Sequence, residues 1–373
     1  MKNKIHKYDF LIVGAGLIGS IAALALAQKK LRVLVIDKKN NIPKDNRTLA
    51  VNANSIDFLK QLGIWNNVKS NPQSIDKIVI KDDINKQPLI FENEYESLGN
   101  VIFNRDIYKL AREKLKKLKI LKTDINFELD NLSPNKSIYI DKKNYRFKKI
   151  VISIGKNIIS NAYHKSLIFD QQHFSYVGFF KHTKDHDNIA YEFFTKDGPL
   201  AVLPAPAFNK KKSTFIYSSK EKTNKIKLQN LISTKILRSH GTLIFDKSVQ
   251  KFPIIPHLTK NNDKFIYIGD SLKSIHPVAG QGWNLGVKDI QTLCKIIDQY
   301  SIHAKNFNSI YYSRRMFETT IYFSFTSILN FLYESNISLN NKIIKMGYAV
   351  LKNFKFARDA FIKQAMGRVN LTD

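Results

Sequence analysis

One cysteine, Cys294, in 373 residues excludes a disulfide framework and any cysteine-rich metal site, and it fits a reducing compartment. Acidic residues are also scarce. The chain has 31 Asp and Glu against 60 Lys and Arg, a formal charge of +29. Such an excess can serve nucleic acid or an anionic surface, yet no zinc-finger spacing, RNP-type aromatic motif or basic-zipper heptad accompanies it. The lysines are scattered beside abundant Asn and Ile, which reads as a composition-wide bias with solvated charges, and no nucleic-acid partner is expected. No long charge-free apolar run is present. The most apolar late stretch, 311–336, is bounded by Glu318 and Glu334 and is too short to span a bilayer. No Ser-His-Asp arrangement stands out. The sequence does carry 43% apolar and 12% aromatic residues, enough to fill the core of a globular protein of two or three intertwined subdomains.

The N-terminus has a basic start, an apolar stretch and Ala-x-Ala spacing, superficially like a secretory signal. A second reading explains more of its residues. Tyr8 to Val13 reads as a buried strand, Gly14-Ala15-Gly16-Leu17-Ile18-Gly19 is a G-x-G-x-x-G, and Ser20 to Lys29 continues as an Ala/Leu-rich helix. Leu31 to Ile36 is then a second buried strand, ending in Asp37 about 20 residues after the first glycines, as a dinucleotide-binding unit requires. Each glycine has a mechanical role in that unit. Gly14 permits the tight turn, Gly16 leaves room for a pyrophosphate, Gly19 lets helix and strand approach, and the helix N-terminus offers N–H groups to the anion. Asp37 would accept hydrogen bonds from a ribose hydroxyl. The motif alone does not choose between NAD and FAD.

A second glycine cluster lies far along the chain. "KFIYIGDS" (264–271) is a strand-like run ending at Asp270, and "AGQGWNLG" follows with G-x-G-x-x-x-G spacing but no strand and acid behind it. This loop is expected to hold a different part of one long ligand.

The segment "GDSLKSIHPVAGQGWNLGVKD" (269–289) resembles the pattern G-D-A-A-H-x-x-H-P-x-A-G-Q-G-x-N-x-G-x-x-D of the FAD-dependent aromatic hydroxylases, the class A flavin monooxygenases, and within them the ubiquinone-biosynthesis branch. "RTLAVNANSIDFLKQLG" (47–63), "FNRDIYKLA" (103–111) and "AYEFFTKDGPLAVLP" (190–204) are similar to further family segments in the expected order. The resemblance implies an α/β protein: a Rossmann-like FAD-binding domain, an inserted antiparallel β-sheet substrate domain and a C-terminal helical region. The segments expected are 1–74, 101–162 and 261–300 for FAD binding, 75–100 and 163–260 for the substrate domain, and 301–373 for the helices.

It also implies roles. Asp270 would bind the ribityl hydroxyls, and the Gly280-Gln281-Gly282 backbone would lie against the isoalloxazine, where a Cβ would collide. From Trp283 a helix would point its N-terminal dipole at the flavin ring. Arg105, after Asn104 as N-cap, would pair with an FAD phosphate; Arg47 is similar to a family arginine near the flavin; Pro277 and the sheet aromatics would line the substrate pocket, and His276 would shape the flavin loop. The implied reaction takes hydride from NAD(P)H, forms a flavin hydroperoxide with O2 and hydroxylates a lipophilic phenol in a dry pocket. Two departures stand out. Ile154 replaces the acid of the family's Asp-Gly pair, so a flavin-binding structural subunit of a quinone-making complex, or a monooxygenase of another aromatic substrate, stays open beside the hydroxylase reading. Lys273 stands where the family usually has His.

Two features fall outside the resemblance. His182 and His186, with Asp185 and Asp187, have metal-like spacing but are expected in a solvated loop between strands. The stretch 341–369 mixes apolar residues with Lys and Arg, and both packing on the FAD domain and lying on an anionic bilayer fit it. The expected location is the cytosol, with peripheral contact at the inner face of the cytoplasmic membrane, and other ubiquinone-biosynthesis proteins as partners, as the alternative.

Overall fold

A computed structural model describes residues 4–41, 47–160, 164–168, 173–220, 222–275, 281–334 and 338–369. Pro277, Gly280 and His276 lie outside the described residues.

The first strand, Ile5–Val13, pairs in parallel with Val33–Ile36 on one side and Lys143–Ile152 on the other. Leu121–Lys122 and Phe265–Tyr267 extend the sheet outward, also in parallel. Parallel pairing demands covered faces, and the strand residues show it. Phe10 and Ile12 point into one apolar cluster with the helices Leu17–Gln28, Asn104–Lys117 and Gln281–Gln299; Leu11 and Val13 point into another with Leu129, Leu132 and Phe147. Residues of the N-terminal run are thus buried on both faces, which explains why the strand is apolar at every position after Asp9.

A second sheet of eight strands is built mainly from 173–219. His173–His182, Lys212–Ser219, Gly198–Pro204 and Ile189–Thr195 are antiparallel neighbours in that order. The sheet is not purely antiparallel, however: Ile189–Thr195 runs parallel to Lys77–Asp82, which the long intervening connection through the nucleotide domain allows. The helix Lys225–His240 covers one face through Leu228, Ile232 and Ile236. On the other face, Ala190 and Leu203 share a cluster with Tyr348, Ile362 and Met366 of the C-terminal segment. A small antiparallel sheet sets Gly99–Phe103 between Thr48–Asn52 and Gln73–Ile75.

The His182/His186 expectation is corrected here. Both rings are buried, with His240 of the covering helix stacked edge-on to His182 at 4.6 Å. His182 bridges the Lys184 carbonyl at 2.6 Å and the Ser213 hydroxyl at 2.9 Å, so the two rings turn inward onto the sheet end while Thr183, Lys184, Asp185 and Asp187 of the same loop stay exposed. No metal-holding group of His, Cys, Asp or Glu occurs among the described residues.

Candidate functional site

The C-terminal ends of the parallel strands are where ligands bind in open α/β sheets, and a cavity of about 1130 Å³ lies there, larger than the roughly 300–1,000 Å³ of ordinary ligand pockets. Its lining brings together Gly14, Gly16, Asp37, Arg47, Arg105, Asp270 and Gly282, along with Trp283, Ser153 and Lys156. Residues more than 260 positions apart therefore face one space.

Local chemistry explains each wall. Gly14 has φ +101°, and a Cβ there would meet the Ser153 carbonyl oxygen at 2.3 Å; one on Gly19 would meet the Gly14 carbonyl oxygen at 2.0 Å. Both glycines are required by the protein's own packing. Gly16 differs. Among the described residues a Cβ there meets no atom within 4 Å, and the same holds at Gly282, so these two leave space on the ligand side. Gly269, at φ +59°, and Gly286 both abut Ile18, which brings the Asp270 turn and the helix Gln281–Gln299 against the glycine loop. Asp37 accepts the Ala15 N–H at 2.6 Å and the Lys39 N–H at 2.8 Å, so it shapes the loop as well as facing the cavity. Asn104 is not the cap: the helix Asn104–Lys117 has Phe103 in that position, and the Asn104 N–H donates to the Arg47 carbonyl at 2.9 Å. That bond sets the two arginines on adjacent backbone. Arg105 stacks over Phe103 at 4.7 Å and Arg47 over Phe252 at 4.8 Å.

Three features were not foreseen. Arg112, 1% exposed, donates to the Tyr108 hydroxyl at 2.7 Å and the Lys39 carbonyl at 3.1 Å, and lies 3.8 Å from Asp37. Its signal is one turn of helix: Arg112 sits beside Ile107, Ala111 and Leu115 on the buried face of a helix otherwise rich in lysine. Lys156 follows Ile154 and Gly155 into the cavity, where burial lowers its pKa while Asp270 opposes the shift and Arg47 adds to it. The third is a buried charge network behind the Asp270 turn. Asp289 accepts the Gly269 N–H at 2.8 Å, Lys273 Nζ at 2.5 Å and Arg315 Nε at 2.7 Å. Glu318 joins it through Arg315 and through Lys288 at 2.6 Å. Burial lowers the Lys273 ammonium to about 8 despite the Asp289 carboxylate. Arg315 and Lys288 hold the Glu318 carboxyl below its usual range although burial alone would raise it.

Residues 7–127 match the FAD binding domain family. The chain is a flavoprotein built on the FAD monooxygenase fold. It is 24% identical over 318 residues to the ubiquinone hydroxylase UbiM of Neisseria meningitidis, covering 78% of this chain and 68% of that protein. With the mitochondrial ubiquinone biosynthesis monooxygenase COQ6 of Caenorhabditis elegans it shares 23% identity over 84% of each chain. Among solved structures, p-nitrophenol 4-monooxygenase PnpA of Pseudomonas putida superposes with a TM-score of 0.74 at 11% identity, over 97% of this chain and 99% of that one.

The residues present fit FAD. Besides the open space at Gly16 and Gly282, Trp283 Nε1 and Thr48 Oγ1 are buried without a hydrogen-bond partner among the described residues, and both side chains belong to cavity-lining residues. The flavoprotein's cavity walls are cationic around Arg47, Arg105 and Lys156, as a diphosphate requires.

Proposed function

We propose that the chain hydroxylates a polyprenylated phenol ring in ubiquinone biosynthesis, with FAD as cofactor and NAD(P)H as electron donor. One observation carries the reading: a single cavity collects the 14–19 loop, Asp37, the Asp270 turn and Gly282, and continues to the apolar sheet residues Leu203 and Ile216. FAD, when bound, supplies the hydride acceptance and O2 activation.

The residues would divide the work along the cavity. Gly14, Gly16 and Gly19 with the N–H groups opening Leu17–Gln28 would hold the diphosphate, with Arg105 and Arg47 as counter-charges. Asp37 would accept hydrogen bonds from the ribose hydroxyls and Asp270 from the ribityl hydroxyls. Gln281 and Gly282 open the helix Gln281–Gln299, whose positive end would favour negative charge on a reduced ring. Pro277, Leu203 and Ile216 would exclude water at the substrate end. Peripheral contact with an anionic membrane and with other ubiquinone-biosynthesis proteins belongs to the same reading, since a polyprenyl tail dissolves in lipid.

The test is NAD(P)H oxidation by the yellow protein with and without polyprenyl phenols, paired with the quinone precursors accumulating in a deletion strain. Oxidation stimulated by the phenol and a hydroxylated product are expected; an unchanged quinone pool on deletion would remove the pathway assignment. A second reading, a flavin-binding subunit without turnover, is favoured by Ile154, which stands where the resemblance places an acid. Flavin binding with no reduction by either nicotinamide would establish it.

A further inference from the structure

We infer that the outer faces of the helices Phe307–Glu334 and Ser338–Asn353 form a docking surface for an anionic phospholipid bilayer. It locates the membrane contact included in the proposed function and to that extent rests on that reading, while the support for the surface comes from its own residues.

The first helix is uncharged from Thr319 to Tyr333. Its inner face is fixed by Tyr322, Thr326 and Asn330, all buried. Opposite them Phe317, Ile321, Phe325, Ile328 and Phe331 are exposed, at spacings of four and three that make one stripe. The second helix repeats the arrangement. Ile344 and Tyr348 are buried, the latter donating its hydroxyl to the Ile80 carbonyl at 2.9 Å, so the core-facing side is settled. Yet Leu339, Ile343, Met346 and Val350 are exposed, Met346 to 70%, and fall within about 60° of one another at 100° per residue. A surface helix needs one apolar stripe, and this one carries two. Phe354, in the break after this helix, and Phe356, in the following helix Lys355–Ala365, are 63% and 86% exposed.

Charge selects the occupant. Lys342, Lys345 and Lys352 lie along one flank of the outer stripe, and the helix Ser338–Asn353 contains no acidic residue. A second copy applied to this face would set lysines against lysines, whereas anionic headgroups would neutralise them while acyl chains receive the Phe and Ile side chains. No described helix is long and apolar enough to cross a membrane, so the contact is in-plane.

The experiment is co-sedimentation of the full chain with phosphatidylcholine vesicles and with vesicles containing phosphatidylglycerol, at about 0.1 M and about 1 M salt. Binding is expected to the anionic vesicles, more than tenfold weaker to the neutral ones and weakened by salt. Phe325→Glu with Met346→Glu should lower it more than tenfold, while Ile226→Glu, an equally exposed position on another helix, should leave it unchanged. Melting temperature and bound flavin are measured for each variant to show the fold intact. No anionic binding, binding indifferent to the double variant, or a dimer in light scattering that the double variant abolishes would each overturn the proposal. Turnover of detergent-dispersed substrate, which needs no vesicle, reports on the hydroxylase reading separately.

Discussion

At Gly14 an added methyl group would meet the Ser153 carbonyl oxygen at 2.3 Å in a left-handed backbone conformation, while at Gly16 it would meet nothing within 4 Å. The two positions therefore separate folding from cofactor binding. Gly14→Ala should destabilise the apo-protein by a few kcal/mol. Gly16→Val should melt as the parent does and bind FAD at least tenfold more weakly, as read by flavin fluorescence titration; equal affinity would remove Gly16 from the diphosphate site. Asp289 offers a different test. It holds the Gly269 N–H, Lys273 and Arg315 together in the interior, so Asp289→Asn should cost about 3–5 kcal/mol in chemical denaturation by leaving two cations short of a counter-charge. The glycine pattern and Asp37 were legible in the sequence because a mononucleotide-binding turn is local, all within some 25 residues. Arg112, Lys156 and the Asp289 network were not, since their partners lie on other elements, and only the folded chain shows that Lys273 lies against the Asp289 carboxylate.

Among the elements, the strands of 173–219 were readable as aromatic, β-rich runs punctuated by polar turns, and they are buried along nearly their whole length, whereas the end of that sheet hid a histidine cluster behind an apparently polar loop. His186 is lowered to about 4 and His240 to about 3, in both cases chiefly by burial and next by the neighbouring His182. Both folded-state values lie below the ordinary 6.5. Between that pH and the folded values the unfolded chain takes up protons that the fold excludes, so stability falls as pH drops through this window and levels beneath it. The expected slope is up to about 1.4 kcal/mol per pH unit for each ring. His240→Phe should flatten the acid limb of a denaturation series, and a series as steep as the parent's would show that another group controls it. The parallel entry of Lys77–Asp82 into the same sheet was not readable either, because sheet neighbours more than a hundred residues apart leave no local trace.

For the whole molecule, the C-terminal segment is tied to the cofactor side by polar contacts that cross the chain. Lys288, on the helix that begins at the cavity, donates to the Val369 carbonyl at 2.7 Å, and Asn54 N–H donates to the Met366 carbonyl at 3.1 Å. Asn284 of the same helix grips the cavity strand through the Asn52 N–H at 3.1 Å and the Ala50 carbonyl at 2.9 Å. Tyr348, Ile362 and Met366 also cover Phe91, Leu98 and Val101. Ending the chain after Glu334 would uncover that cluster, leave Lys288 with Glu318 alone, and remove the Met366 carbonyl that holds Asn54 just past the strand Thr48–Asn52, whose Thr48, Leu49 and Ala50 wall the cavity. Melting temperature and flavin affinity should therefore fall together, the first by several degrees. The measurement is a thermal melt followed by flavin fluorescence, with and without excess FAD. Added FAD should recover part of the loss, because a ligand bound to the native state alone stabilises it by mass action. A truncated chain that melts earlier yet holds FAD as tightly as the parent would place the C-terminal helices outside the cofactor's support and leave their outer face as their only connection to function.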